Sequence, residues 1–159
     1  MRKLQVSMLA IVFTLAIVFT IVTFSYSSER KPDHYGSFVV TSGRLIELQR
    51  LTGKQQSSCA WNGIFSEMPN IISSGDIHFI IYGYAGGNLY LDTVSKVEGK
   101  YKVILDNKIP LQIAPIKDEQ NMYRLNPTRQ LSKGFYLLSV GGCSDNMWDF
   151  SCYYPFSVQ

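Results

Sequence analysis

The sequence predicts an all-β domain, an antiparallel two-sheet sandwich, preceded by one apolar N-terminal helix. Three observations carry that reading. Aromatic residues are plentiful, with ten Tyr, nine Phe and two Trp in 159 residues, and aromatic and β-branched side chains suit pleated surfaces. Turn signals recur at close intervals and leave short apolar runs between them, enough for roughly seven to nine strands at sandwich-like spacing. Finally, the chain opens with an uncharged stretch over residues 4–28, behind Arg2 and Lys3.

That stretch is the first element. Its apolar heart covers residues 8–24, interrupted by Thr14, Thr20 and Thr23. A bilayer core takes ~20 apolar residues as helix and a signal peptide ~7–15, so two readings stand. One is an uncleaved signal-anchor, its basic start held on the cytoplasmic side. The other is a cleaved signal peptide, with Ser25-Tyr26-Ser27 as the small-x-small pattern before Ser28. Residues 1–28 are therefore assigned to a signal-anchor or signal peptide, 29–36 to a linker and 37–159 to one β-sandwich domain. The domain is expected outside the cytoplasm, membrane-anchored through residues 8–24, or secreted if cleaved.

Within the domain, residues 37–40 form the first strand. Residues 44–51 carry leucines at helical spacing, but a lone helix this short is marginal, and strand is favoured. Thr52-Gly53-Lys54 reads as a turn, and residues 68–75, with Pro69, Asn70 and Gly75, as a loop. Residues 77–82 are the strongest strand and a central one. A strand over 89–97 turns at Glu98-Gly99-Lys100 into one over 101–105, giving a hairpin, and Asp106-Asn107-Lys108 reads as another turn. Pro110 and Pro115 bracket an edge strand. Residues 122–125 form a short strand that Asn126-Pro127 ends.

The last two strands are the most informative. Over 135–140, Tyr136, Leu138 and Val140 share one face and Phe135 and Leu137 the other, so both faces are expected to be covered. Leu131-x-x-Gly134-x-Tyr136 resembles the turn into the F strand of immunoglobulin-like and fibronectin-type sandwiches. In those, a tyrosine hydroxyl bonds back to upstream backbone. The resemblance implies an immunoglobulin-like antiparallel β-sandwich, with Gly134 and Tyr136 in structural roles. It departs from true immunoglobulin domains at Leu138, where they carry cysteine. An ordinary buried tyrosine in some other sandwich is the alternative, and the resemblance implies nothing about activity.

An export segment places the domain where cysteines pair. Of three possible single pairings, spacing favours Cys143 with Cys152, across the base of the loop between the last strands, leaving Cys59 free. That loop carries Asp145, Asn146, Met147, Trp148, Asp149 and Phe150. Large apolar side chains beside oxygen donors on a braced loop suit recognition of a protein, sugar or peptide. The competing reading has Trp148 and Phe150 folding back to plug the sandwich. Asp145, Asn146 and Asp149 do not fill a calcium shell of ~6–8 oxygens, so no metal is expected.

Catalytic chemistry has thin support, and no cofactor is expected. Of two histidines, His34 lies in the linker and His78 in an apolar strand. The one enzyme-like constellation is Cys59 with His78 and Asp76 or Asp92, since a thiol nucleophile needs a neighbouring base. Cys59-Ala60-Trp61 resembles the Cys-Trp step of papain-like proteases, without that signature's flanking glycine and cysteine. Setting Arg2 and Lys3 aside leaves 13 basic against 12 acidic residues, which argues against nucleic acid. The leading expectation is a structural or binding module with a protein partner in an envelope or surface assembly; the alternative is a cysteine-dependent enzyme using Cys59 and His78.

Overall fold

The computed structural model describes residues 31–83, 87–141 and 151–159. The expected N-terminal helix, with residues 8–24, and the loop residues Cys143, Asp145, Asn146, Met147, Trp148, Asp149 and Phe150 lie outside them. Among the described residues no helix is long and apolar enough to cross a membrane. Among the described residues the fold is all-β, with two sheets and one short helix. In chain order come β1 (Gly36–Thr41), β2 (Arg44–Glu47), α1 (Gly53–Asn62), β3 (Ile64–Phe65), β4 (Asn70–Ile72), β5 (Ile77–Tyr82), β6 (Leu89–Val97), β7 (Lys100–Ile109), β8 (Leu111–Pro115), β9 (Met122–Pro127), β10 (Gly134–Gly141) and β11 (Ser151–Val158). One sheet has the order β2-β1-β5-β9-β8, the other β3-β7-β6-β10-β11-β4. All pairings are antiparallel except β11 with β4.

Strand alternation sorts the side chains into three buried layers. Val39, Phe79, Ile81 and Leu125 of the first sheet meet Leu91, Tyr136, Leu138, Val140 and Phe156 of the second in one cluster. The Phe79 and Phe156 rings lie 5.5 Å apart across it. Phe38, Val40, Ile80 and Met122 cluster separately, with Leu45, Tyr82 and Ile116 against them. These residues alternate with the inward ones, so they form the outer face of the first sheet. Leu137 and Val94 likewise point out of the second sheet, where Leu51, Cys59, Phe65 and Tyr101 bury them. Both faces of β10 are thus covered, as its residue pattern predicts.

The cover over the second sheet comes from an excursion of the chain. After β2, residues 48–51 cross from one sheet to the other: the Leu48 amide donates to Ser37 O at 2.8 Å, and the Leu51 amide to Tyr153 O at 2.8 Å. Asn70 fixes this strap. Its Nδ2 donates to Gln49 O at 2.9 Å and to Pro155 O at 2.8 Å, while its Oδ1 accepts from the Gln49 amide at 2.8 Å. Helix α1 then leads from the β11 side to β3, which pairs with β7 at the far edge. The chain returns to β4 beside β11.

Three local expectations need correction. A helix starts at Gly53, where a turn was expected. Its sequence is short of helix formers and Thr52 makes no capping side-chain bond, so packing of Cys59 under it supplies what propensity does not. It stops at Gly63, whose left-handed backbone (φ 66°) lets its amide return to Cys59 O. The expected loop over 68–75 contains β4, which the parallel partner β11 holds in extended form. The expected turn at Asp106-Asn107-Lys108 is instead an irregularity inside β7. Asp92 pairs with Lys108 but Val94 with Val103, so β7 carries extra residues there. Beyond Pro110 the chain passes directly into β8 of the other sheet, a bulge-assisted change of sheet. β8 is an edge strand, as its two prolines predict.

Candidate functional site

Tyr136 stands near the start of β10, 5% exposed. Its hydroxyl donates to Ser132 O at 2.8 Å, across the bend that precedes the strand. Its ring stacks on Phe156 at 5.4 Å. The phenol is therefore structural: the ring fills the core and its polar tip closes the bend.

The structure does not bring Cys59 and His78 together. Cys59 lies under α1 on the outer face of the second sheet. His78 alternates with the inward Ile77 and Phe79 on the first sheet, which puts it on that sheet's opposite, outer face. Two sheets and the core separate them. Burial, and secondarily the charge of Asp92, pushes the Cys59 thiol up to about 12. It is a protonated, enclosed thiol at neutral pH, the reverse of an activated nucleophile. Asp76 lines a shallow hollow with Arg129 and Gln130 at the far end of the sheets, away from Cys59. Asp92 is near Cys59 but buried, and its Oδ1 has no hydrogen-bond partner among the described residues. Desolvation raises its pKa, and the Lys108 ammonium beside it pulls the other way. That ammonium also stands 4.1 Å from the Tyr90 ring centroid.

The β10–β11 register opposes Cys152 to Val140 and Ser151 to Gly141. Cys143, the expected partner of Cys152, lies outside the described residues, while Cys59 is a free thiol. The sulfur of Cys152 accepts a long contact from Arg50 Nη1 at 3.7 Å. At the loop's other foot Gly141 packs against residues 87–88: its amide donates to Asn88 O at 2.8 Å. A Cβ at Gly141 would sit 2.9 Å from Asn88 N, so only glycine permits this approach.

At this same end a cleft of ≈ 620 Å³ opens between the sheets. The first sheet contributes Gly36 and Ser37 from the start of β1 and Ile81 and Tyr82 from the end of β5, followed by Gly83. The second contributes Val140 and Tyr154; Glu47, Leu48, Gln49 and Arg50 form the side wall. Tyr35 completes it, 70% exposed yet held in place. Its ring meets Tyr82 edge-on at 4.6 Å. It lies over Gly83, where an added Cβ would come within 2.7 Å of it and where φ is +86°. On the rim, His34 Nδ1 contacts Asp33 Oδ1 at 2.6 Å and Nε2 contacts Glu47 Oε2 at 3.3 Å. Those contacts, Asp33 foremost, raise the imidazole pKa and lower that of Asp33. Lys31 pairs with Glu119, tying the first described residue to the turn between β8 and β9.

Sequence reasoning placed residues 29–36 in a linker and the strap in a strand, and so missed this cleft. The only signal was local: an aromatic at 35 just before the first strand, with Gly36 beside it. Nothing in the sequence brings Gly83 or Arg50 next to it. No family model, no curated protein and no solved structure matches this chain.

Proposed function

We propose that this chain is a membrane-tethered or exported immunoglobulin-like β-sandwich that works as a non-catalytic recognition or structural module of an envelope or surface assembly. The carrying observation is the strand order. In the immunoglobulin convention, with strands A, B, E and D on one sheet and C, F and G on the other, β1, β5, β9 and β8 take the first four places. β7, β6, β10 and β11 follow as C′, C, F and G. Tyr136 then falls near the start of F with its hydroxyl on backbone four residues upstream, where the tyrosine corner belongs. Helix α1, β2, β3 and β4 are additions to that plan.

In this reading residues 8–24 anchor the chain in the membrane or direct its export. Cys143 and Cys152 form a disulfide across the loop base, within the loop's own reach. Non-reducing peptide mapping tests the pairing: a linked peptide containing Cys59 would overturn it. Recognition falls to the end bearing the cleft and the loop after Gly141, because loops on a rigid two-sheet frame carry binding residues. The experiment is a pull-down from solubilised membranes with the native chain and Tyr35→Ala. Loss of a partner with the variant supports the reading. Rapid modification of Cys59 by an electrophile in the folded protein would favour a cysteine-dependent enzyme instead.

A further inference from the structure

Resting on the recognition reading, we propose that the cleft beside Tyr35 is a binding site for a neutral, hydroxyl-rich ligand of the saccharide class. Its volume lies within the ~300–1,000 Å³ of small-molecule sites, and it is concave, unlike the flat patches that bind folded proteins. Among its lining residues there is one acid, Glu47, and one base, Arg50. Their charges cancel, which leaves no net field to select a phosphate or polyanion.

The ring of Tyr35 is the second argument. Isolated exposed aromatics on a tether would be free to rotate. This one is braced by Tyr82 and seated over Gly83. Gly83 has no Cβ, and the ring occupies the space one would fill. A fixed, exposed aromatic face accepts the C–H surface of a pyranose at little cost in side-chain entropy. On the side wall, Arg50, Glu47 and Gln49 are exposed planar groups. Together they offer several donors and acceptors, the mixture that vicinal hydroxyls pair with. The strap that carries Gln49 and Arg50 is pinned through Gln49 by Asn70, so this part of the wall is also set in advance of binding.

The test uses the full-length chain in detergent micelles and saturation-transfer NMR with neutral chito- and malto-tetrasaccharides, with oligogalacturonate as the anionic comparison. The expected result is binding of a neutral tetrasaccharide. Tyr35→Ala should weaken it by roughly tenfold, while Tyr35→Phe should retain it because the ring face remains. Since Tyr35 is mostly exposed, thermal unfolding of both variants should match the native chain. Binding of oligogalacturonate alone, abolished by Arg50→Gln, would overturn the neutral class and leave the recognition reading standing. Failure of all saccharides, with a protein cross-linked from position 35, would do the same. Failure of all saccharides with no adduct at position 35 would overturn both.

Discussion

Replacing Asn70 by alanine should loosen the strap that joins the two sheets. Asn70 is 6% exposed and makes three hydrogen bonds through one side chain. Its amide bridges Gln49 on one side and Pro155 on the other, acting as a rung between the strap and β11. In Asn70→Ala the Pro155 carbonyl loses the buried side-chain bond but keeps its place in the β4–β11 ladder, a loss of ~0.5–1.5 kcal/mol. The two Gln49 groups are part-buried, so water compensates them in part, at about 0.5–1 kcal/mol each. The sum is about 1.5–3.5 kcal/mol, a sizeable share of the ~5–15 kcal/mol that holds a domain together. Asn70→Asp should do more damage at neutral pH, because it sets a carboxylate against two carbonyl oxygens. Urea unfolding followed by tryptophan fluorescence measures it: the midpoint should fall with little change in slope. A loss under about 0.5 kcal/mol, the range of an ordinary surface substitution, would refute the role of Asn70 as a structural rung.

Four other outcomes follow from the same geometry. Tyr136→Phe should cost about 0.5–1.5 kcal/mol by losing the bond to Ser132 O, and an unchanged denaturation midpoint would count against the corner. Gly141→Ala should cost about 1–3 kcal/mol, because its Cβ meets Asn88 backbone; a neutral result would mean that the 87–88 segment gives way freely. Burial raises the pKa of Asp92 in the folded chain, so the folded state holds its proton to higher pH than the unfolded state. Stability contributed by this group therefore falls as pH rises through that window. Asp92→Asn should stabilise the domain at pH 7, and the advantage should vanish below about pH 4; a gap independent of pH would contradict this. Cys59 should react with a thiol probe only on unfolding, given its burial and a pKa about 12; fast labelling of the native state would be incompatible with the packing under α1.

The sheets were largely legible in the sequence because period-two alternation reports burial directly. β5 and β10 alternate Ile77, Phe79, Ile81 and Tyr136, Leu138, Val140 toward one shared core, and the prolines at 110 and 115 mark an edge. The helix was not legible. Residues 53–62 offer glutamines and serines with no apolar stripe, and they are helical because the second sheet has an apolar outer face to cover. β4 was hidden for a related reason: it is a three-residue strand whose extended form depends on β11, some 85 residues away. The turn expected at Asp106-Asn107-Lys108 misled because the same polar residues serve a bulge. The cleft is the least local feature. Tyr35, Arg50, Gly83 and Tyr154 meet only after the strap has crossed between sheets, and the fragment Asp33-His34-Tyr35-Gly36 reads as a linker until β1 is paired with β5.

The central claim, recognition at the cleft end, is tested most directly by site-specific photocross-linking in producing cells. A benzophenone side chain placed at Tyr35 is compared with one at Val97, which is also exposed. Val97 lies at the other end of β6, roughly 26 Å along the strand from Leu89 at ~3.3 Å per residue. The account predicts a discrete adduct from position 35 and none from position 97. Adducts from position 97 alone, or equally from both, would contradict it.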